Sequence, residues 1–348
     1  MNLIERVLSE RYDELGLAAV GIPRRMQTAL LTPRFPASRH VVALVFSPGD
    51  PRPRAVAKLP RRPGDNLGVL LEADVLRRVA ELAPSAGTAV PVVLGTVDVG
   101  QQVLLVETAV DGVELDPPAV RRDRDLAVRA GTAFIDGLPV MTPAEQNRNW
   151  YDAALTRPLD ALARAVPLGG ETADLVARTH AVLEPLREVA LPAVFEHGDL
   201  SHPNLFLGAE DGLRVIDWER ATAAGVPGHD LVFFLQYISE SSRSAVDRDA
   251  QRAALDADLW APDGWARAVL AAHLERRGVP VELLDALVVG SWARTAAGLV
   301  ARLVPEDDGP GDGEPLSPAA LAGTVRESRD VDLWWHVLGR AEEQAVRS

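Results

Sequence analysis

HGDLSHPN at 197–204 and VIDWE at 215–219 bracket two short apolar runs, NLFLG and LRVID, joined through Asp211 and Gly212. An Asp-Gly pair between apolar runs signals a β-hairpin, so this stretch predicts a β island in a region that otherwise reads as helix. A hairpin folds its two ends together, which sets Asn204 beside Asp217. Two oxygen donors suit a hard cation such as Mg²⁺, which takes few protein ligands and fills its shell with phosphate and water. Asp199 would stand at the rim of that pair as an acceptor.

Three readings of these residues compete. Asp and Asn favour turns, which makes them structural. His197, Asp199 and His202 could instead ligate a transition metal, although Pro203 breaks regular spacing. The third is the kinase arrangement: a catalytic-loop Asp, an Asn after four intervening residues, and a metal-binding Asp beyond a hairpin, with Lys on a strand and Glu on a helix upstream.

The upstream partners are present. The chain has 35 Arg but a single lysine, Lys58, at the end of the strand-like run RAVAK, just after the turn-rich SPGDPRPR. In the next helical segment, NLGVLLEADVLRRVAELA, capped by Asp65 or Asn66, Glu72 shares a stripe with Val75, Leu76 and Val79 at i, i+3, i+4 and i+7. A carboxylate on a core-facing stripe needs a partner, and Lys58 is the candidate. The competing pattern centres the apolar face on Leu67, Leu71 and Val75 and leaves Glu72 at its edge.

Around these residues the chain divides. Residues 2–15 predict an amphipathic helix; 27–33, 40–46, 54–59, 90–99 and 101–108 predict the strands of a small antiparallel sheet. Helix is expected at 121–136, 150–188, 245–277, 281–304 and 317–345, and the acidic PEDDGPGDGEP at 305–315 reads as a loop. With 348 residues the chain exceeds what one core serves, so an α+β fold of two lobes is expected.

HGDLSHPN followed by VIDWE resembles the small-molecule kinases of the aminoglycoside phosphotransferase and choline kinase type, over approximately residues 25–240. The resemblance implies a protein-kinase-like two-lobe fold: an N-lobe sheet with one helix (1–107), a hinge (108–112) and a mainly helical C-lobe (113–348). It makes Asp199 the catalytic base or the group that orients the acceptor hydroxyl, and Asn204 and Asp217 the Mg²⁺ ligands. Lys58 would contact the α- and β-phosphates and Glu72 would hold it. LLVETAVDG resembles the family hinge, so the backbones of Glu107 and Ala109 would bond the adenine edge, with Val106 lining the pocket and side-chain identity mattering little. Asp230, in GHDLVFFL, would brace the catalytic loop or merely cap a buried helix. Trp218 and Glu219 would support the site. The nucleotide loop departs from the family: TPRFPASRH has two prolines and no glycine, leaving Ser38 and Arg39 as candidate phosphate contacts and both ATP and GTP as donors.

The expected function is Mg²⁺-dependent transfer of the γ-phosphate to a hydroxyl of a small molecule. Alternatives are a kinase acting on a peptide or protein and an inactive nucleotide-binding homologue. The charge of −14 argues against a nucleic-acid partner. Residues 1–112 carry +1 and residues 113–348 carry −15, which leans toward a cationic acceptor such as an amino sugar, aminoglycoside or choline-like amine. The absence of cysteine suits a reducing compartment, so the cytoplasm is expected, with no signal peptide and no membrane span. Trp260, Trp265, Trp292, Trp334 and Trp335 follow residue 240, as acceptor-pocket aromatics or as helix-packing core.

Overall fold

In a computed structural model of the chain, the described residues are 1–31, 40–82, 89–166, 170–303 and 317–347. Ser38, Arg39 and the acidic segment 305–315 lie outside them. The chain forms two compact units, one of Met1–Val113 with Asn204–Ala221, the other of the described residues of Glu114–Pro203, Thr222–Glu306 and Gly313–Ser348. The predicted hairpin is thus grouped with the N-terminal sheet.

The first unit is built on a five-stranded antiparallel sheet, β1 (Gln27–Leu31), β2 (His40–Phe46), β3 (Pro53–Pro60), β4 (Val93–Val99) and β5 (Gln102–Thr108), in the order β1-β2-β3-β5-β4. Alternation along β5 sends Leu104 and Val106 to one face and Leu105 to the other. The first face buries α1 (Leu3–Glu10), whose Asn2 and Glu5 form a reciprocal capping box. The second face carries α2 (Leu67–Leu82), where Val69 and Ala73 pack on Leu105. Val75, Leu76, Val79 and Glu72 are buried while Leu67 and Leu71 are exposed, so the stripe through Glu72 is the inner one. Asn66 uses its side chain across the sheet rather than for the helix: its Oδ1 accepts from the Val103 amide at 2.8 Å and its Nδ2 donates to Gln101.

The two-residue strand β6 (Val113–Glu114) lies at the junction of the units. The helices of the second unit are shorter than the sequence pattern suggests. The expected helix at 121–136 is two, α3 (Pro117–Arg122) and α4 (Arg124–Gly137), because Asp123 ends one and caps the other through the Leu126 amide. α5 (Arg157–Ala165) and α6 (Gly170–Arg187) share the next segment. β7 (Val140–Thr142), β8 (Ala193–Glu196) and β11 (Thr222–Gly225) form a small sheet in the order β11-β8-β7, of which periodicity gave no sign because the strands are so short. The hairpin belonging to the first unit is β9 (Leu205–Leu207) with β10 (Leu213–Val215).

The remaining helices are α7 (His229–Arg243), α8 (Arg248–Leu255), α9 (Trp265–Arg276), α10 (Leu284–Leu303), α11 (Pro318–Arg326) and α12 (Arg329–Arg347). α10 lies at the centre, against α5, α6, α7 and α12. Val281–Val300 is long and apolar enough to cross a membrane by length and composition alone, but 67% of its most apolar stretch is buried, as in the core helix of a globular unit. Trp260, Trp292 and Trp334 are buried in this core, whereas Trp335 is half-exposed under Arg178, so packing accounts for most of the late tryptophans.

Candidate active site

Lys58 and Glu72 form the buried pair that the lone lysine and the helical stripe predict. On β3, Lys58 stands opposite Leu105 of β5, and its Nζ donates to Glu72 Oε1 at 2.6 Å. The same carboxylate oxygen accepts the Trp218 amide at 2.8 Å, so α2 is tied both to the lysine and to the segment that follows β10. Two further carboxylates face the ammonium: Glu107 Oε1 at 3.4 Å and Asp217 Oδ1 at 3.6 Å. Burial works against the charge of Lys58, but Glu107, Glu72 and Asp217 outweigh it and hold the ammonium well above its usual range.

Glu107 corrects the expectation that side chains at the hinge matter little. Its carboxylate is buried on the same face as Leu105, because β5 alternates. Its backbone belongs to the ladder, in register with Val56 of β3 and Val93 of β4. Burial first, then the nearby charge of Glu72, pushes its carboxyl up to about 8 against the opposing pull of Lys58. The Ala109 amide, expected to face adenine, donates to the Arg54 carbonyl at 3.1 Å, and Val106 packs into the core on the opposite face, with Leu104. β5 ends at Thr108, where the strand predicted at 101–108 ends, and the Ala109 amide is taken up by the sheet.

The hairpin performs as its Asp-Gly turn predicts. Leu205, Phe206 and Leu207 pair with Val215, Arg214 and Leu213, and the Ile216 amide donates to the Asn204 carbonyl at 3.0 Å. Asn204 is buried, and the Asp217 side chain is more open, on a backbone with φ +67°, in the left-handed region that Asp tolerates. The segment that carries Asp217 is held further by Glu219, which faces His40 Nδ1 at 3.2 Å, and by Trp218, whose indole donates to the Val215 carbonyl. Among the described residues no group of three or more His, Asp or Glu could hold a metal by itself. An Asn and an Asp of this kind fit a hard cation that brings phosphate and water as its other ligands, and fit no site complete in protein donors.

Asp199 lies in the second unit, on the loop after β8, where its amide donates to His197 Nδ1 at 3.1 Å. His202 pairs instead with Glu114 at 2.7 Å. The two histidines therefore serve different partners, and the transition-metal reading loses its ligand set. Gly198, with φ +81°, turns the chain so that the His197 and Gly198 amides both donate to Asp230, at 2.7 and 2.8 Å. Asp230 is the brace of the loop, from the first turn of α7. Burial, then the charge of Glu196, pushes its carboxyl up to about 7 in spite of those amides.

Glu196 was missed in the sequence. It is buried at the end of β8 and met end-on by Arg294 of α10, whose Nη1 and Nη2 each donate to one of its oxygens at 3.0 Å, with the Val226 amide as a third donor. Burial alone would raise its carboxyl; Arg294, then His229 and the Val226 amide, outweigh that and hold it at about 2. Gly225 lets β11 approach, since a Cβ there would stand 2.4 Å from that of Glu196. Glu196 and Arg294 are 98 positions apart, and no local pattern joins them.

Several solved structures share the fold. An aminoglycoside phosphotransferase, APH(4)-Ia, in a ternary complex with ADP and hygromycin B is 14% identical, with 98% of this chain and 97% of that one covered and a TM-score of 0.56. The same protein with AMP-PNP and hygromycin B gives 14%, 99%, 97% and 0.57. Plasmodium vivax ethanolamine kinase is 10% identical, over 91% of this chain and 81% of that one, with a TM-score of 0.50. No curated protein sequence matches. The phosphotransferase enzyme family, APH, matches residues 38–270, more than half of the chain. The kinase-like fold and this match agree with what HGDLSHPN and VIDWE imply: the chain belongs to the phosphotransferase enzyme family.

Proposed function

We propose that this phosphotransferase moves the γ-phosphate of ATP or GTP, with Mg²⁺, to a hydroxyl of a small cationic molecule in the cytoplasm. The observation that carries the reading is the buried Lys58, fixed at 2.6 Å by Glu72 and flanked by Asp217. An ammonium kept charged and immobile is what a polyphosphate needs, and the chain has no other lysine to offer.

Lys58 would bind the α- and β-phosphates, with Glu72 setting its direction. Asn204 and Asp217 would hold Mg²⁺. The bound cation supplies neutralisation of the developing phosphate charge. Asp199 would orient the acceptor hydroxyl for in-line attack and take its proton, on a loop held in shape by Asp230. The surplus of acid over base in residues 113–348 supports an aminated acceptor, an amino sugar, aminoglycoside or choline-like amine. APH(4)-Ia with hygromycin B bound, and an ethanolamine kinase, are consistent with that class.

The test is a thermal-shift series with ATP and GTP, each with and without Mg²⁺, followed by nucleotide-consumption assays over amino sugars, aminoglycosides and amines. The expected result is Mg²⁺-dependent stabilisation by one nucleotide, lost in Lys58→Met, and turnover with an aminated alcohol. A melting temperature indifferent to every nucleotide would overturn the reading.

A further inference from the structure

The Lys58 site holds more carboxylates than its lysine can neutralise. Glu72, Glu107 and Asp217 surround one ammonium, and the second oxygens of Glu72 and Glu107 are buried without a hydrogen-bond partner. A buried carboxyl costs several kcal/mol when isolated, so one placed beside an existing ion pair calls for a reason.

We propose that Glu107 is a positioning residue for Lys58, a second anchor that keeps the ammonium in place independently of α2. The proposal rests on the reading of Lys58 as the phosphate-binding group only for its catalytic consequence; the anchoring itself is a matter of geometry.

The two anchors sit on different supports. Glu72 belongs to α2, so its grip on Lys58 depends on where that helix lies. Glu107 belongs to β5, which is hydrogen-bonded to β3 along a register that pairs Ala57 with Val106 and Lys58 with Leu105. Its distance from Lys58 is therefore set within the sheet. The charged groups that face Glu107 are Lys58 on β3, Glu72 on α2 and Asp217 after β10. Burial, with the charge of Glu72 added to it, raises the Glu107 carboxyl, and a carboxyl in either form still accepts a hydrogen bond from the ammonium. With Glu72 withdrawn, Glu107 stays beside the cation on the sheet, without that competitor for it.

The single lysine makes the idea directly measurable. Acetylation of Lys58 by an N-hydroxysuccinimide ester requires the amine to leave its pocket, and mass spectrometry separates it from the α-amino group. The reaction is followed in EDTA without nucleotide for the wild type, Glu107→Gln, Glu72→Gln and the double variant. Glu107→Gln should label within about twofold of the wild type, because the amide still accepts, and Glu72→Gln no more than about tenfold faster. The double variant should label at least about a hundredfold faster than the wild type, the non-additivity of two groups that share one partner. Should the double variant fail to fold by circular dichroism, Glu72→Asp, one methylene shorter and still charged, replaces Glu72→Gln, and the same pattern is expected with and without Glu107→Gln.

Equal labelling of Glu72→Gln and the double variant would overturn the proposal, as would a double variant as slow as the wild type. Nucleotide affinity is measured on the same preparations. Tight nucleotide binding with no labelling pattern removes the anchor and leaves the donor site intact. The labelling pattern with no nucleotide binding by the wild type leaves the anchor and removes the proposed donor.

Discussion

The two units each bury a cluster of charges, and the clusters are finished to different degrees. The Glu196 carboxylate itself is saturated: two guanidinium contacts of 3.0 Å and one amide meet its two oxygens. Around Lys58 the carboxylates outnumber the cation and two of their buried oxygens find no partner. Native interiors satisfy nearly all buried polar groups, so a completed cluster points to architecture and an incomplete one to a ligand still to come. Their acid–base behaviour is opposite as well, with Glu196 held at about 2 and Glu107 raised to about 8.

The sharpest break between architecture and chemistry falls on the loop that Asp230 braces. Asp199→Asn should lower turnover by about 10² to 10⁴, the usual loss on removing a positioned general base, with nucleotide affinity and melting temperature unchanged. Turnover, binding and melting measured on one preparation check this; a matched loss of nucleotide affinity would take the acceptor role from Asp199.

Within the saturated cluster, removing one partner strands a buried charge. Arg294→Met should cost about 3–5 kcal/mol of stability in a denaturant titration and leave nucleotide affinity per folded molecule as it was. A selective loss of nucleotide binding would erase the distinction between the clusters.

The pH dependence separates them by sign. The Glu196 carboxyl is depressed in the folded state, so its contribution, of the order of 3 kcal/mol, is present above its unfolded value and lost as pH falls from 4.5 toward about 2. The Glu107 carboxyl is raised, so its contribution is complete below 4.5 and lost as pH climbs through about 8. Melting curves across both ranges should show an acid limb that Arg294→Met flattens and an alkaline limb that Glu107→Gln flattens. Limbs unaltered in those variants would assign the titration to other groups.

The smallest expected effect concerns the open edge of the Lys58 cluster. With nucleotide at about a hundred times its Kd, stabilisation of about 2.7 kcal/mol is expected from mass action. Asp217→Ala should lose the part of it that depends on Mg²⁺ and keep the folded state without ligand. Retained metal–nucleotide cooperativity would mean that another group holds the cation.

How far these features were legible follows from their spacing along the chain. The hairpin was visible because its turn and both strands lie within thirteen residues of each other, and the Asn204–Asp217 juxtaposition came with it. Lys58 and Glu72 were visible through rarity and periodicity: one lysine, and one carboxylate on an inward stripe. Glu107 carried a signal too. In QVLLVET the face of Val103 and Leu105 continues to Glu107, and that alternation places its side chain toward α2. The short strands β7 and β11 and the breaks within the expected helices escaped, since three or four residues are too few for a period to show.

The sequence by itself determined the family through HGDLSHPN and VIDWE, the two-lobe α+β plan, and the pairing of the only lysine with Glu72, because each of these rests on local order or on a short loop. Only the tertiary structure decided that Glu196 answers Arg294, that Asp230 clamps the loop before Asp199, and that the Ala109 amide is spent on the sheet. Those pairings join residues 32 to 98 positions apart or turn on the register of one strand against its neighbours. Contacts of that kind are chosen by the competition of whole elements for one core, which no window along the chain contains.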